Sequence, residues 1–201
     1  MKKTGMIVIL SAPSGCGKDT VFKEISKIRS DVCESISATT RAPRKGEIEG
    51  VNYFFKSTAD FENMIEEDSF LEYACYNGCY YGTPAAPALA AVNKGKICFL
   101  IIERKGAQKV MKNYPDAVSV FLMPPDIKTL ERRLKKRNTE SEEAIKKRLK
   151  IAEEEIEYAS TFNYVIVNNK LEKAVEELNG ILDIELENTD AKFPQPRAGG
   201  E

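Results

Sequence analysis

Residues 11–20 read Ser11-Ala12-Pro13-Ser14-Gly15-Cys16-Gly17-Lys18-Asp19-Thr20. They lie between the apolar run Met6–Leu10 and a helical pattern that sets Val21, Phe22, Ile25 and Ile28 on one face. A short buried strand, a glycine loop and a helix with a lysine at the loop's end form the arrangement that holds nucleotide phosphates. Successive backbone N–H groups and the helix N-terminus converge on the anion, and Gly15 and Gly17 let the backbone approach it closely. The stretch Ala12–Thr20 is therefore the candidate NTP-binding loop, with Lys18 reaching the β- and γ-phosphates as a mobile point charge. Two positions depart from the generic pattern. Ala12 stands where the first glycine would be, and Asp19 replaces the hydroxyl residue that ligates Mg²⁺. A carboxylate is an anionic oxygen ligand for the same hard cation, which makes Asp19 the candidate metal ligand, with Thr20 beside it.

Outward from the loop the pattern alternates strand and helix, as in an α/β layer fold with a mainly parallel sheet. Ile97–Ile102, Ala117–Leu122 and Tyr164–Val167 read as further buried strands. Helices are predicted at about 84–94, 105–113, 126–136 and 141–159, the last with Ile145, Leu149, Ala152 and Ile156 as its inner stripe. Leu171, Val175, Leu178 and Leu182 mark a closing helix. Residues 37–83 break the alternation with short strand-like pieces at Asn52–Phe55, Leu71–Tyr76 and Cys79–Tyr81. They flank one helix at about 59–67 with Thr58 as its cap. This predicts a small, mainly β lobe inserted into a three-layer core of residues 1–36 and 84–186. Thr83 is expected to cap the following alanine-rich helix, with Pro84 in its first turn. The tail 187–201 has no periodicity and is expected to be disordered.

Lys+Arg at 30 against Asp+Glu at 31 gives a formal charge of −1, so nothing pulls the chain as a whole toward nucleic acid or an anionic membrane. No apolar run approaches membrane-spanning length, and the Met-Lys-Lys start precedes too short an apolar segment for a signal peptide. The expectation is a cytoplasmic protein. Five cysteines (16, 33, 75, 79 and 98) at irregular spacing fit reduced thiols. With no histidine and no second close cysteine pair, Cys75-x-x-x-Cys79 makes a poor half of a zinc site. The absence of histidine removes the usual hydrolase triads but costs phosphoryl transfer nothing, since that chemistry runs on positioning, cations and Mg²⁺.

A second stretch, Ser37-Ala38-Thr39-Thr40-Arg41-Ala42-Pro43-Arg44-Lys45-Gly46-Glu47, continues to Gly50, Tyr53 and Phe55. Arg41 and Arg44 flank a proline that limits their relative placement, and two guanidinium forks close together suit a phosphate. Tyr53 and Tyr81 can add hydroxyl donors to the same anion.

From the phosphate loop through Ser-x-Thr-Thr-Arg-x-Pro-Arg-x-Gly-Glu-x-x-Gly-x-x-Tyr-x-Phe, the chain resembles the guanylate kinase family. The resemblance runs on through Phe70-Leu71-Glu72-Tyr73-Ala74, Asn77-Gly78-x-Tyr80-Tyr81-Gly82-Thr83 and Gly106-Ala107 to Leu130–Arg148. It covers about residues 6–182 and implies ATP + GMP to ADP + GDP with Mg²⁺. By the same resemblance the lobe binds GMP, with Arg41, Arg44, Tyr53 and Tyr81 on its phosphate and Ser37, Glu72 and Thr83 on its guanine edge. Glu47 and Glu103 complete the implied GMP side. The chemistry agrees for Glu72, because one carboxylate accepts from both guanine N1–H and the 2-amino group, and adenine offers no such pair. Leu130–Arg148 carries Arg132, Arg133, Lys135, Lys136, Arg137, Lys146, Lys147 and Arg148. In the resemblance this is a mobile lid at about 130–150, with Arg133 on ATP and Arg137 and Arg148 joining Lys18 and Arg41 as catalytic cations.

Asp19, Ile101 and Lys105 depart from the family pattern, and Glu103 remains as the acid of its strand end. A Gly-Lys-Asp loop also occurs in related small-molecule kinases such as ribose 1,5-bisphosphate phosphokinases, which makes that class one alternative. A catalytically silent guanylate-kinase-like domain that binds protein partners is another, opposed by Lys18, Gly15, Gly17 and the arginines of residues 130–148. The oligomeric state is not legible.

Overall fold

The computed structural model describes residues 5–136 and 141–188. In chain order the first elements are β1 (Met6–Ser11), α1 (Lys18–Ile28), β2 (Val32–Glu34), β3 (Ala38–Thr39), β4 (Phe54–Phe55), α2 (Thr58–Glu66), β5 (Phe70–Tyr76) and β6 (Cys79–Pro84). Then come α3 (Ala85–Asn93), β7 (Ile97–Ile101), α4 (Arg104–Asn113), β8 (Val118–Met123), α5 (Ile127–Lys136) and α6 (Glu142–Glu157). A 3₁₀ turn at Ala159–Thr161, β9 (Tyr164–Val167) and α7 (Leu171–Asn188) follow.

Five strands pair in parallel in the order β2-β7-β1-β8-β9. Such a sheet needs cover on both faces, and β1 shows how the sequence supplies it. Met6, Val8 and Leu10 join Val21 and Ile25 of α1 and Ala174, Leu178 and Leu182 of α7 on one side. Ile7 and Ile9 join Ala88 and Val92 of α3 and Ala107 and Val110 of α4 on the other. The result is the three-layer α/β fold that the alternating pattern predicts. Because the strands run the same way, β1, β2, β7 and β9 all end at one edge, where α/β sheets bind ligands.

A separate four-stranded sheet, β4-β3-β6-β5, is mixed: β3 pairs parallel with β4 and antiparallel with β6. Its own small core stacks Phe61 on Phe70 (centroids 4.4 Å apart) and on Tyr80 (5.2 Å).

Local expectations needed correction at five points. Strand β2 escaped the pattern because three partly exposed residues carry no apolar run. Ile28, the last residue of α1, is 63% exposed: the apolar stripe runs out there, and the side chain lines a groove with Leu171 and Val175 instead of the core. The cap of α2 is Ser57, not Thr58; its hydroxyl accepts from Asp60 N–H at 3.1 Å. Pro84, not Thr83, stands at the N-cap of α3. Helix α7 continues through Glu187 to Asn188, into the segment expected to be tail. The remaining expectation for the tail, and that for Arg137, fall outside the described residues.

Candidate active site

The loop after β1 is a backbone cradle. Cys16 N–H closes a turn on Pro13 O at 3.1 Å. Gly15 and Gly17 stand at φ 91° and 93°, a left-handed conformation that favours glycine, and Gly17 is the N-cap of α1. At Gly15 a Cβ would also lie 2.8 Å from Leu134 Cδ2, so a side chain there would have to displace the tip of Leu134 on α5. Lys18 opens α1, with its ammonium folded back over the loop. It donates to Ala12 O at 3.1 Å and to Glu103 Oε1, just past β7, at 3.4 Å. Ala12 and Pro13 are buried, Ser14 is half-buried, and Asp19 and Thr20 are exposed in the first turn of α1.

Beside the loop lies a cleft of about 430 Å³, lined by Gly15, Cys16, Gly17, Thr20, Arg133 and Asn168 among others. Asn168 follows β9 and fixes the loop from behind: its buried Nδ2 donates to Cys16 O at 2.7 Å. Arg133 of α5 donates to Asn168 O at 2.8 Å, so one lid-region arginine already stands at this cleft. Arg148 stands half-buried on α6.

Under the same edge lies Glu155 of α6, 8% exposed. Burial, and then the charge of Glu103, push its carboxyl up to about 7, while Lys18 and Arg104 oppose the rise. The predicted stripe of α6 contains Ile145 and Ala152 as buried residues, with Leu149 and Ile156 half-buried. Glu155 takes a buried place among them that no apolar pattern could reveal.

On the four-stranded sheet the side chains hold one another. The Arg41 guanidinium donates to Glu47 Oε1 at 2.8 Å and lies over the Tyr53 ring, 5.4 Å from its centroid. Glu47 Oε2 accepts from Arg44 N–H at 2.7 Å. The bond from Arg41, then that from Arg44 N–H, hold the Glu47 carboxyl below its usual range. Tyr53 meets Tyr81 edge-on at 6.2 Å. Thr39 and Thr40 pin β3 to Tyr80 of β6: Thr39 Oγ1 donates to Tyr80 O, and Thr40 Oγ1 accepts from Tyr80 N–H, both at 2.9 Å.

Glu72 of β5 is 9% exposed and accepts from Thr83 Oγ1 at 2.8 Å. Thr83 thus orients Glu72 rather than capping a helix. Burial raises the Glu72 carboxyl, opposed by the Thr83 bond and Lys109. A Cβ at Gly106 of α4 would fall 2.6 Å from Glu72 Oε2, so this glycine leaves the space the carboxylate fills. Ser37 lies just before β3, half-buried, and its carbonyl accepts from Phe54 N–H at 2.9 Å.

Three groupings follow. Lys18, Glu103 and Arg133 gather at the loop; Arg41, Arg44, Glu47, Tyr53 and Tyr81 form a second set; Glu72 and Thr83 form a buried pair. The family model described as guanylate kinase matches residues 4–185. The chain belongs to the guanylate kinase family. It is 47% identical over 182 residues to the guanylate kinase of Caldanaerobacter subterraneus, covering 90% of this chain and 88% of that one. To that of Carboxydothermus hydrogenoformans it is 48% identical over 181 residues, covering 90% and 89%. The crystal structure of the Anaplasma phagocytophilum guanylate kinase superposes with a TM-score of 0.73 at 33% identity, over 94% of this chain and 90% of that one.

Within this guanylate kinase family fold, sequence reading missed Asn168 and Glu155, and it named Gly106 without its part in making room for Glu72. The Val167-Asn168-Asn169 end of a predicted strand was a usable signal for the first, since strand ends at that edge face the ligand. No helix among the described residues is long and apolar enough to cross a membrane.

Proposed function

We propose that this chain transfers the γ-phosphate of ATP to GMP, giving ADP and GDP. ATP lies on Ala12–Thr20 with Arg133 at its cleft, and GMP lies in the lobe of residues 37–83. The observation that carries the reading is the pairing of a phosphate loop that keeps Gly15, Gly17 and Lys18 with a buried, Thr83-oriented carboxylate at Glu72. A buried carboxylate finds its full set of donors in guanine N1–H and the 2-amino group and is left unpaired by adenine.

Lys18 exchanges its resting bonds to Ala12 O and Glu103 for the β- and γ-phosphates. Arg41 and Arg44, with the hydroxyls of Tyr53 and Tyr81, hold the GMP phosphate, and Glu47 sets the Arg41 fork. Ser37 and Thr83 serve the remaining guanine edge. A GMP phosphate oxygen is already an anionic nucleophile at neutral pH, so no side chain need act as a strong base. The exposed oxygens of Asp19 and Thr20, at the N-terminus of α1, suit a hard cation that keeps most of its ligands from water and phosphate. Asp19 and Thr20 would hold Mg²⁺ there, and the ion would supply positive charge against the transferring phosphoryl group. Residues at about 130–150, with Arg137 and Arg148, close over the phosphates as a lid and keep water out. Five free thiols and a formal charge of −1 support a cytosolic enzyme acting on small molecules.

ADP release with ATP and Mg²⁺ tests the reading, with GMP, dGMP, AMP, UMP and ribose 1,5-bisphosphate compared as acceptors. GMP stimulates turnover far above the others. Preference for ribose 1,5-bisphosphate would overturn the lobe assignment, and GMP binding without turnover would make the chain a silent domain.

A further inference from the structure

Two of the five cysteines lie side by side in the central sheet. Cys33 of β2 and Cys98 of β7 are register partners on neighbouring parallel strands. Neighbouring strands run about 4.8 Å apart, inside the ~4.4–6.8 Å between Cα atoms that a disulfide spans. Register partners project to the same face, and both side chains belong to one apolar cluster. The neighbouring Cys98 thiol, with Lys96 adding to it against the effect of burial, holds the Cys33 thiol below its usual range. The Cys33 thiol and burial hold Cys98 above its own. Cys33 is only half-buried, on a strand at the sheet's edge, while Cys98 is buried behind it. The pair has the layout of an attacking and a resolving thiol.

The other cysteines lack this layout. Burial pushes the Cys16 thiol up to about 11, and it faces no second thiol in register. Cys75 and Cys79 sit in the β5–β6 hairpin opposite Tyr80 and Tyr76, not opposite each other.

We propose that Cys33 and Cys98 are a redox modification site, oxidised reversibly by a low-molecular-weight disulfide to an intrachain bridge between β2 and β7. The Cys33 thiolate attacks one sulfur of the oxidant, whose S–S bond breaks and releases a thiolate. This mixed disulfide no longer carries the Cys33 charge. Cys98 then loses its proton to solvent and attacks Cys33 Sγ, expelling the second thiol. Two protein thiols give up two electrons and two protons, and the oxidant disulfide becomes two thiols.

The bridge has a route to function. Strand β2 leads through Ser35, whose N–H bonds to Phe99 O at 2.9 Å, into Ser37 and β3, the root of the four-stranded sheet. Strand β7 ends beside Glu103. A covalent tie between β2 and β7 therefore restrains the lobe's root against the core, and closure with it. This consequence, unlike the bridge itself, rests on the kinase reading above.

The full chain is incubated with glutathione disulfide, its free thiols are titrated under denaturing conditions, and its peptides are mapped by mass spectrometry. Free thiols fall from five to three, with Cys33 joined to Cys98. Five remaining thiols, or a bridge at Cys75–Cys79 alone, overturns the site. GMP-dependent turnover of the oxidised protein falls several-fold and returns with dithiothreitol. Cys33→Ser keeps its turnover under the same oxidant. A mapped Cys33–Cys98 bridge with unchanged turnover overturns the control of closure. Absence of turnover in the fully reduced protein counts against the kinase reading and leaves the thiol count decisive for the bridge.

Discussion

The loop at residues 11–20 and the sheet of residues 37–83 are built by different means. The loop offers backbone: a turn at Cys16, two glycines at positive φ and the start of α1, with Lys18 as its one cation. The sheet offers side chains braced by other side chains: Glu47 holds Arg41, Thr83 holds Glu72, and Thr39 and Thr40 hold β3 against β6. Backbone N–H groups survive substitution of the residues that carry them, so Ala12 in place of the first glycine keeps its N–H, whereas Asp19 changes a side chain. A braced side chain has no such tolerance, because removing one member leaves its partner unsatisfied.

The largest effect is expected where the loop depends on a side chain. Lys18→Ala lowers kcat by about 10²–10³-fold, the range for deleting one preorganised charge at a transition state. GMP binding, measured by calorimetry without ATP, stays within a few-fold of the parent. Loss of GMP binding in this variant would break the separation of the two regions.

On the sheet the loss follows the brace. Arg41→Ala lowers kcat/KM for GMP by about 10²-fold, since it removes a charge-assisted bond and leaves the Glu47 carboxylate facing the phosphate. Arg41→Ala combined with Glu47→Ala recovers part of this loss, and a double-mutant cycle measures how much. Strict additivity would show that Glu47 does not act through Arg41.

Glu72 sharpens the contrast through pH. In the proposed function its ionised form accepts the guanine donors, and burial raises its carboxyl above the ordinary range. GMP affinity therefore begins to fall at a higher pH on acidification than an exposed glutamate would impose. Glu72→Gln removes that limb of the pH profile and cuts GMP-over-AMP discrimination at least about tenfold. Unchanged discrimination would sink the guanine-reading role.

The same contrast explains what the sequence made legible. The layers of the core are written in periodicity: β1 alternates its two buried faces, and α1 repeats Val21 and Ile25. Arg41 and Lys18 stand out through the motifs around them, a glycine loop between strand and helix and the Thr-Thr-Arg-x-Pro-Arg stretch. Strand β2 was hidden because its stability comes from pairing with β7, not from its own composition. The role of Gly106, though not the residue, was hidden because it leaves space across a gap in sequence. Thr83 was misread because the same hydroxyl serves a helix cap or a carboxylate, and only the fold says which is near.

Glu155 gives the smallest effect and the one that ties the loop to the helix beneath it. In the folded chain its carboxyl titrates near 7, against an ordinary 4.5. Below the lower value both folded and unfolded chains hold the proton, so nothing is lost there. As pH rises through this window the unfolded chain gives up the proton first, and stability falls until the folded carboxyl has ionised as well. Glu155→Gln removes that decline. Urea unfolding should show the variant gaining up to about 2–3 kcal/mol on its parent between pH 5 and pH 8. Lys18→Ala should steepen the parent's decline, because the Lys18 charge is the largest of those that favour the ionised carboxylate. An unchanged slope would mean that the lysine does not feel Glu155, and that the loop stands clear of the buried charge below it.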